Sequence, residues 1–336
     1  MSDTDTGAAL PRRRIDIAPA LTPLLVAALA APFIGSPSTF LTLTVAGLAM
    51  GMMIFTMASG LTLVFGLMDV LNFGHGAFIS LGAYVATLVL LPLAAWSQAD
   101  SLGLNLGVLL LALLAAGVVC AAAGFVFERV LIVPVYGQHL KQILVTIGGA
   151  IVAEQLLYAL FGPQQIPLPL PTAFRGSIIL GDAAIEKYRI VATFIGLLVF
   201  AAQILILDRT KIGLLIRAGV ENREMVEALG YRVDRLFVAV FMAGSALAGL
   251  GGAMMALYRG QVHATIGGEF LVLCFIVIII GGLGSVGGSF VASILVALIA
   301  NYAGFLAPKL ALVSNILAMV AVLLWRPRGL YPVSGR

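Results

Sequence analysis

Long apolar blocks, separated by short polar or glycine-rich breaks, run along almost the whole chain. A block of roughly 20 residues is long enough to cross a ~30 Å hydrocarbon core as a helix. No stretch alternates apolar and polar residues over ~10 positions, as membrane-spanning strands do. The pattern therefore predicts an all-α, polytopic helical membrane protein with about ten spans, at residues 18–34, 41–65, 77–95, 104–127, 143–161, 190–207, 236–258, 270–280, 290–306 and 310–325.

The block at 270–280 is short, which predicts either a half-helix or a helix that continues into the glycines after it. Eight or nine spans are therefore also possible. The composition agrees with a membrane protein, because 61% of the 336 residues are hydrophobic and only 10% are charged, whereas a soluble domain carries about 25% charge. A cytosolic enzyme is excluded.

The basic residues predict the orientation of the chain in the membrane. With ten spans and an inner N-terminus, 14 of the 19 Lys and Arg residues fall in inner segments, as the positive-inside rule requires. We expect a polar cytoplasmic segment at 1–17, a single transmembrane domain at 18–326 and a cytoplasmic tail at 327–336. The basic cluster at 12–14 and the apolar run after it also resemble a signal peptide, but the positive-inside count favours a retained first helix.

Two connections between spans are long. The outer loop at 162–189 contains four prolines, which favour an extended path that lipid cannot solvate. The inner loop at 208–235 predicts a short surface helix from about Arg223 to Leu229, closed by a left-handed Gly230. Its predicted N-terminal residues are Glu221, Asn222 as the N-cap, Arg223 and Glu224.

The apolar residues of this surface helix, Met225, Val226, Ala228 and Leu229, are expected on one side. This face packs either on the protein's own inner surface and lipid headgroups, or on a cytoplasmic partner.

Motifs for enzyme chemistry or nucleotide binding are weak or absent. The spacing GxGxxG at Gly282, Gly284 and Gly287 lies between apolar blocks with no acidic residue after Glu269, so it predicts a tight turn or broken helix. No lysine follows a glycine, so the phosphate-binding GxxxxGK[ST] loop is missing. Cys120 and Cys274 stand alone in apolar blocks. The sequence predicts no catalytic residue, metal site or cofactor.

Polar residues inside apolar blocks are the better candidates, because polar groups at membrane depth are costly unless they face a cavity or another helix. Asn72 and His75 follow Asp69 in a glycine-rich segment, and they either brace neighbouring helices or line a pathway. Glu154 and Gln155 interrupt the fifth block. Glu154 either faces the interior or a pathway, or pairs with a polar residue such as His75 or Asn301.

Three segments together resemble the permease subunits of bacterial branched-chain amino acid ABC importers. They are GLTLVFGLMDVLNFGHGAFISLGAYV at 60–85, IGLLIRAGVENREMVEALGYRVDRLFVAVFMAGSALAGLGGAM at 212–254 and GGLGSVGGSFVAS at 281–293. The resemblance runs in order along most of the chain. It implies an inner-membrane importer built from two permeases, alike or different, two cytoplasmic ATPases and an external solute-binding protein.

The resemblance also assigns roles to residues. It makes the segment 219–230 the coupling segment that docks on an ATPase and implies a central pathway between two permeases. We expect Asn72, His75, Glu154 and Gln155 near that pathway, and Arg175 and Arg259 on the outer side, where the binding protein docks unless the loop is only a lid. Aliphatic amino acids, urea, amides and aromatic acids all remain possible solutes.

Two other classes of function fit the sequence less well. A secondary transporter or passive channel for a small polar solute would usually carry ion-coupling groups within the membrane or a visible inverted repeat, and neither is evident in the sequence. A membrane enzyme is disfavoured because its three histidines are scattered. No nucleic-acid partner is expected.

Overall fold

A computed structural model describes residues 18–221 and 223–332, and this part of the chain is almost entirely helical. A 3-10 turn at Pro19–Leu21 precedes the first helix, and a π-helical turn at Glu128–Ile132 and a 3-10 turn at Val133–Val135 follow the fifth. The α-helices are α1 (Thr22–Ile34), α2 (Pro37–Met68), α3 (His75–Leu90), α4 (Ala94–Ser97), α5 (Leu102–Phe127), α6 (His139–Phe161), α7 (Lys187–Arg209), α8 (Lys211–Glu221), α9 (Arg223–Ala228), α10 (Val233–Arg259), α11 (Ile266–Gly281), α12 (Val286–Leu306) and α13 (Pro308–Trp325).

Short strands occur in the segments that precede α7 and α11. Strands β2 (Ser177–Leu180) and β3 (Ala183–Glu186) form an antiparallel hairpin within the 162–189 loop. Strand β1 (Ile166–Pro167) pairs antiparallel with β4 (Gln261–Val262). The 162–189 loop therefore touches the start of the segment that leads into α11.

The prediction of a helical membrane protein is confirmed. Within the described residues, six helices are long and apolar enough to cross a membrane, and four shorter apolar helices accompany them. Each of the ten apolar blocks of the sequence corresponds to one of these helices. The number of crossings and the side of each terminus stay predictions.

Side-chain caps explain where several helices begin. Ser36, Ser101 and Ser285 accept from backbone N–H groups three residues on, which satisfies donors at the starts of α2, α5 and α12. Ser285 ends the turn at 282–285 between α11 and α12, so the glycine-rich segment 281–288 contains the predicted turn.

Two long helices, α2 and α10, cross at the centre of the molecule. The backbones of Gly60 and Gly244 meet at the crossing, where a Cβ on either residue would collide with the other helix. Along its length α2 also packs antiparallel to α12, and α10 packs antiparallel to α5, where Gly249 lies against Cys120. The core is thus built on helices that approach closely through small residues.

The helix after α2 begins inside the protein. The His75 Nε2 atom lies 2.9 Å from the carbonyl oxygen of Met57. Met57 stands 11 residues before Met68, the last residue of α2, which is about 16 Å along a helix. The segment 69–74 therefore turns back along α2, and α3 starts well within the helical core.

The helix after α10 begins inside the protein as well. The Gly267 N–H donates to Ser80 Oγ at 2.9 Å, and this hydroxyl donates to the Ala264 carbonyl at 2.7 Å. The backbones of Gly76 and Gly267 are in contact, so the N-terminal ends of α3 and α11 lie side by side. The pairs α2–α3 and α10–α11 thus repeat one arrangement in opposite directions, and α11 is the short helix that the block at 270–280 predicted.

Candidate functional site: the re-entrant segment and helix α6

The re-entrant segment, residues 69–74, carries two of the polar side chains that the sequence singles out. Asp69, at the end of α2, has a positive φ of 55° and begins the turn. Asn72 is 1% exposed and His75 is fully buried. Helix α2 therefore ends before this segment and α3 begins after it, while the role of the segment in a pathway stays a prediction.

Helix α6 lies against the re-entrant segment through polar residues that sequence reasoning missed. The Phe73 N–H donates to Thr146 Oγ1 at 3.2 Å. Gln142 lies one helical turn before Thr146, and both side chains are buried, at 1% and 0% exposure. The sequence signal for this contact was the spacing of Gln142 and Thr146, which are four positions apart and so lie on one face of a helix whose exposed side chains are mostly apolar.

The other two predicted pathway residues lie on α6 but away from this contact. Glu154 stands eight residues (146 to 154) beyond Thr146, about 12 Å further along the helix. It is half-buried, and Gln155 is exposed. Because Gln155 precedes the buried Leu157 by two positions, which turn a helix by about 200°, it points to the opposite side. The four residues therefore do not form one cluster within this chain.

Neither polar residue that the sequence offered as a partner for Glu154 is bonded to it. His75 approaches the Met57 carbonyl, and the Asn301 amide donates to the Ala297 carbonyl at 2.9 Å and approaches the Met50 sulfur.

The inner loop forms two consecutive short helices, α8 and α9. The predicted surface helix corresponds to α9, and Gly230 closes it with a φ of 86°, as expected. Met225 and Leu229 are 62% and 71% exposed and Ala228 is also exposed, whereas Val226 is 3% exposed and faces inward. The apolar residues are thus divided between two sides of α9. Asn222 and the side chains of Glu221, Arg223 and Glu224 lie outside the described part of the structure.

The two arginines predicted to meet a binding protein have different surroundings. The Arg175 Nε group donates to the Leu170 carbonyl, and its guanidinium is otherwise exposed. Arg259 forms a 2.6 Å ion pair with Glu269 and stacks over the Phe270 ring. The Arg175 guanidinium is therefore the more accessible of the two to a partner protein.

Cys120 and Cys274 are both buried and free. Within the described residues no group of three or more His, Cys, Asp or Glu side chains is placed to hold a metal ion.

Helices α2 and α3, and likewise α10 and α11, are joined by a break inside the protein that carries polar side chains. This arrangement is typical of polytopic membrane proteins of the transport type. The chain belongs to the family described as branched-chain amino acid transport system / permease component, which matches residues 43–324. This family consists of transport subunits.

Curated relatives agree with this assignment. The high-affinity branched-chain amino acid transport system permease protein LivH of Escherichia coli (strain K12) is 26% identical over 293 residues, covering 84% of this chain and 92% of the relative. The corresponding protein BraD of Pseudomonas aeruginosa is 25% identical, covering 84% and 93%. A probable branched-chain amino acid transport permease protein LivH of Methanocaldococcus jannaschii is 26% identical, covering 82% and 87%. No solved structure matches the chain significantly.

Proposed function

We propose that this protein is the permease subunit of an ATP-driven ABC importer for a branched-chain or other hydrophobic amino acid. The observation that carries the proposal is the α8–α9 pair, which presents exposed apolar side chains from a charged loop within a permease of this family. An exposed apolar patch rimmed by charges is typical of a docking surface. Met225, Ala228 and Leu229 meet the ATPase in this proposal.

Separate chains hydrolyse the ATP. The sequence lacks the phosphate-binding loop with its lysine, and membership of this permease family supports two cytoplasmic ABC ATPases as the energy source. The chain is a multi-pass protein of the bacterial inner membrane, with both termini in the cytoplasm because that orientation satisfies the positive-inside count. No catalytic role, metal or cofactor is assigned to this chain.

A second permease, alike or different, covers part of α6. Gln155 is exposed and Glu154 half-exposed on a helix whose other exposed residues are mostly apolar. Polar groups at membrane depth are costly when they face lipid. Contact with a second permease removes that cost and places Glu154 and Gln155 beside a shared pathway. Asn72 and His75 lie on the side of α6 that faces the core of this chain.

An external binding protein delivers the solute to the outer surface. Arg175 in the 162–189 loop and Arg259 nearby are the basic residues proposed to meet acidic groups on that protein. The contact between β1 and β4 links the loop to the segment before α11, which supports communication between the docking surface and α11.

Purification of the tagged full-length chain from its own membrane tests this assembly. We expect two ABC ATPase chains and a second permease to remain bound in mild detergent. The alternative is a secondary transporter or passive channel, which the side-by-side N-terminal ends of α3 and α11 also fit. A chain that purifies alone and moves solute when reconstituted alone would support that alternative.

A further inference from the structure

Two buried amide side chains, one in the re-entrant segment and one on α6, carry polar atoms without hydrogen-bond partners in the described part of the chain. Among the residues that the structure describes, neither Asn72 Nδ2 nor Asn72 Oδ1 is bonded, and Gln142 Oε1 is unbonded as well. Both residues are 1% exposed. Burying an unpaired amide destabilises a fold, so such groups require an explanation.

The two amides flank one contact between the re-entrant segment and α6. Asn72 directly precedes Phe73, whose N–H donates to Thr146, and Gln142 lies one turn before Thr146 on the same face of α6. Asn72 Oδ1 points to the start of α3, because it lies 3.0 Å from where a Cβ on Gly74, the N-cap, would stand. Asn72 thus lies at the positive end of the α3 dipole.

Helix α6 is held here by little apolar packing. Its buried residues within the described chain are Gln142, Thr146 and Leu157, and in its inner half Leu140 and Leu144 are 79% and 70% exposed. Gly149 lies so close to the Phe127 ring that a Cβ on Gly149 would collide with it. The described contact between the first half of α6 and the re-entrant segment is therefore the polar one between Phe73 and Thr146.

We propose that Asn72 and Gln142 form a closed subsite that takes the headgroup of a zwitterionic amino acid as the solute passes α6. This inference rests on the proposed function and adds Gln142 as a specificity residue. The Asn72 Nδ2 group and the N-terminal end of α3 donate to the carboxylate. Gln142 Oε1 accepts from the ammonium group, which keeps the positive charge away from the N-terminal end of α3.

The surroundings favour a solute that is neutral overall and apolar at one end. No side chain among Asn72, Phe73, Gln142 and Thr146 is ionised. Neither charged end of a zwitterion is therefore repelled by a like charge on these residues. The Phe127 ring packs against Gly74, with its edge 2.5 Å from where a Cβ on Gly74 would stand. This ring offers an apolar wall to an aliphatic side chain.

The test uses the assembled importer with its ATPases and binding protein in proteoliposomes, with leucine as the probe. Asn72→Leu and Gln142→Leu should each raise the number of ATP molecules hydrolysed per leucine imported by about tenfold or more, because a lost bond to a charged group has that effect. The conservative variant Gln142→Asn should show a smaller rise. Gln203→Leu is the matched control, since Gln203 is a buried glutamine on α7 whose Oε1 is also unbonded.

The outcomes separate the subsite from the proposed function. ATP-driven leucine import by the unmodified importer, together with unchanged coupling in both leucine variants, would overturn the subsite alone. An equal rise in Gln203→Leu would also overturn it, since the effect would then follow from any lost buried amide. Absence of ATP-driven import in the unmodified importer would reject the proposed function and the subsite with it. If Asn72→Leu fails to assemble, Gln142→Leu and Gln142→Asn decide.

Discussion

At the scale of single residues, glycines determine how closely the central helices approach. Gly82 of α3 meets the backbone of Gly249 in α10, and Gly60 meets Gly244 where α2 crosses α10. Lipid provides little hydrophobic force between helices, so close van der Waals contact must hold them together. A side chain at these positions would separate the helices and move α3 away from α10.

Replacing Gly82 by alanine should destabilise the protein, because the added Cβ would overlap the backbone of Gly249. Overpacking of this kind typically costs about 1–3 kcal/mol. Gly117→Ala on α5 is the control, since no atom lies within 4 Å of its added Cβ. Thermal unfolding in detergent should show a lower midpoint for Gly82→Ala only. Equal midpoints for the two variants would contradict the packing described here.

Polar residues were only partly predictable. Asn72 and His75 stand out because they interrupt a glycine-rich apolar block. Gln142 and Thr146 do not, because they lie near the start of a block, where polar residues also occur at the membrane surface. Their burial depends on segment 69–74 folding back beside α6, which no local pattern in the chain specifies.

Glu154 should contribute to transport if a second permease meets α6. Glu154→Leu removes a half-buried carboxylate, so we expect uptake to fall several-fold while membrane insertion stays normal. Leu156→Met, at an exposed apolar neighbour, should leave uptake unchanged. Uptake and concentration dependence equal to the unmodified protein would remove Glu154 from the pathway.

At the scale of elements, the cytoplasmic helices show what capping signals can and cannot predict. The positive φ at Gly230 follows from its place after α9, and the sequence anticipated it. Helix α8 was missed because its residues directly continue a membrane helix. The burial of Val226 was also missed, since which side of a six-residue helix turns inward depends on its neighbours.

Leu229→Asp should uncouple ATP hydrolysis from transport. The side chain is 71% exposed, so the substitution spares the fold but places a charge in an apolar contact with the ATPase. Leu229→Met should retain coupling. The ratio of ATP hydrolysed to solute imported measures the effect, and a normal ratio with normal ATPase binding in Leu229→Asp would exclude this docking face.

The outer loop should respond to charge and salt. Arg175→Glu should weaken stimulation of the ATPase by the binding protein, more at low salt than at high salt, because exposed charges are screened over ~8–10 Å near physiological ionic strength. Lys309→Glu, at an exposed residue of α13, is the control. Charge reversal at Arg259 is a less specific test, because it also breaks the ion pair with Glu269. Stimulation that is unchanged at low salt would leave the loop as a lid.

At the scale of the whole molecule, the fold has two related parts that run in opposite directions. Helices α2 and α3 correspond to α10 and α11, and each pair is flanked by a long helix, α5 and α12, packed on the first helix of the other pair. The sequence predicted the helices but not this relation. Close packing requires only small residues at the contact positions, so the rest of the two sequences can differ. The absence of a visible repeat therefore says nothing against a repeated fold.

ATP-dependent uptake of labelled leucine into proteoliposomes tests the central claim most directly. The full-length chain is reconstituted with its second permease, the ATPases and the binding protein, with ATP supplied on the ATPase side and no ion gradient. We predict uptake that requires ATP and binding protein together and stops when either is omitted. Uptake that proceeds without ATP, or that follows an imposed proton or sodium gradient, would contradict the account.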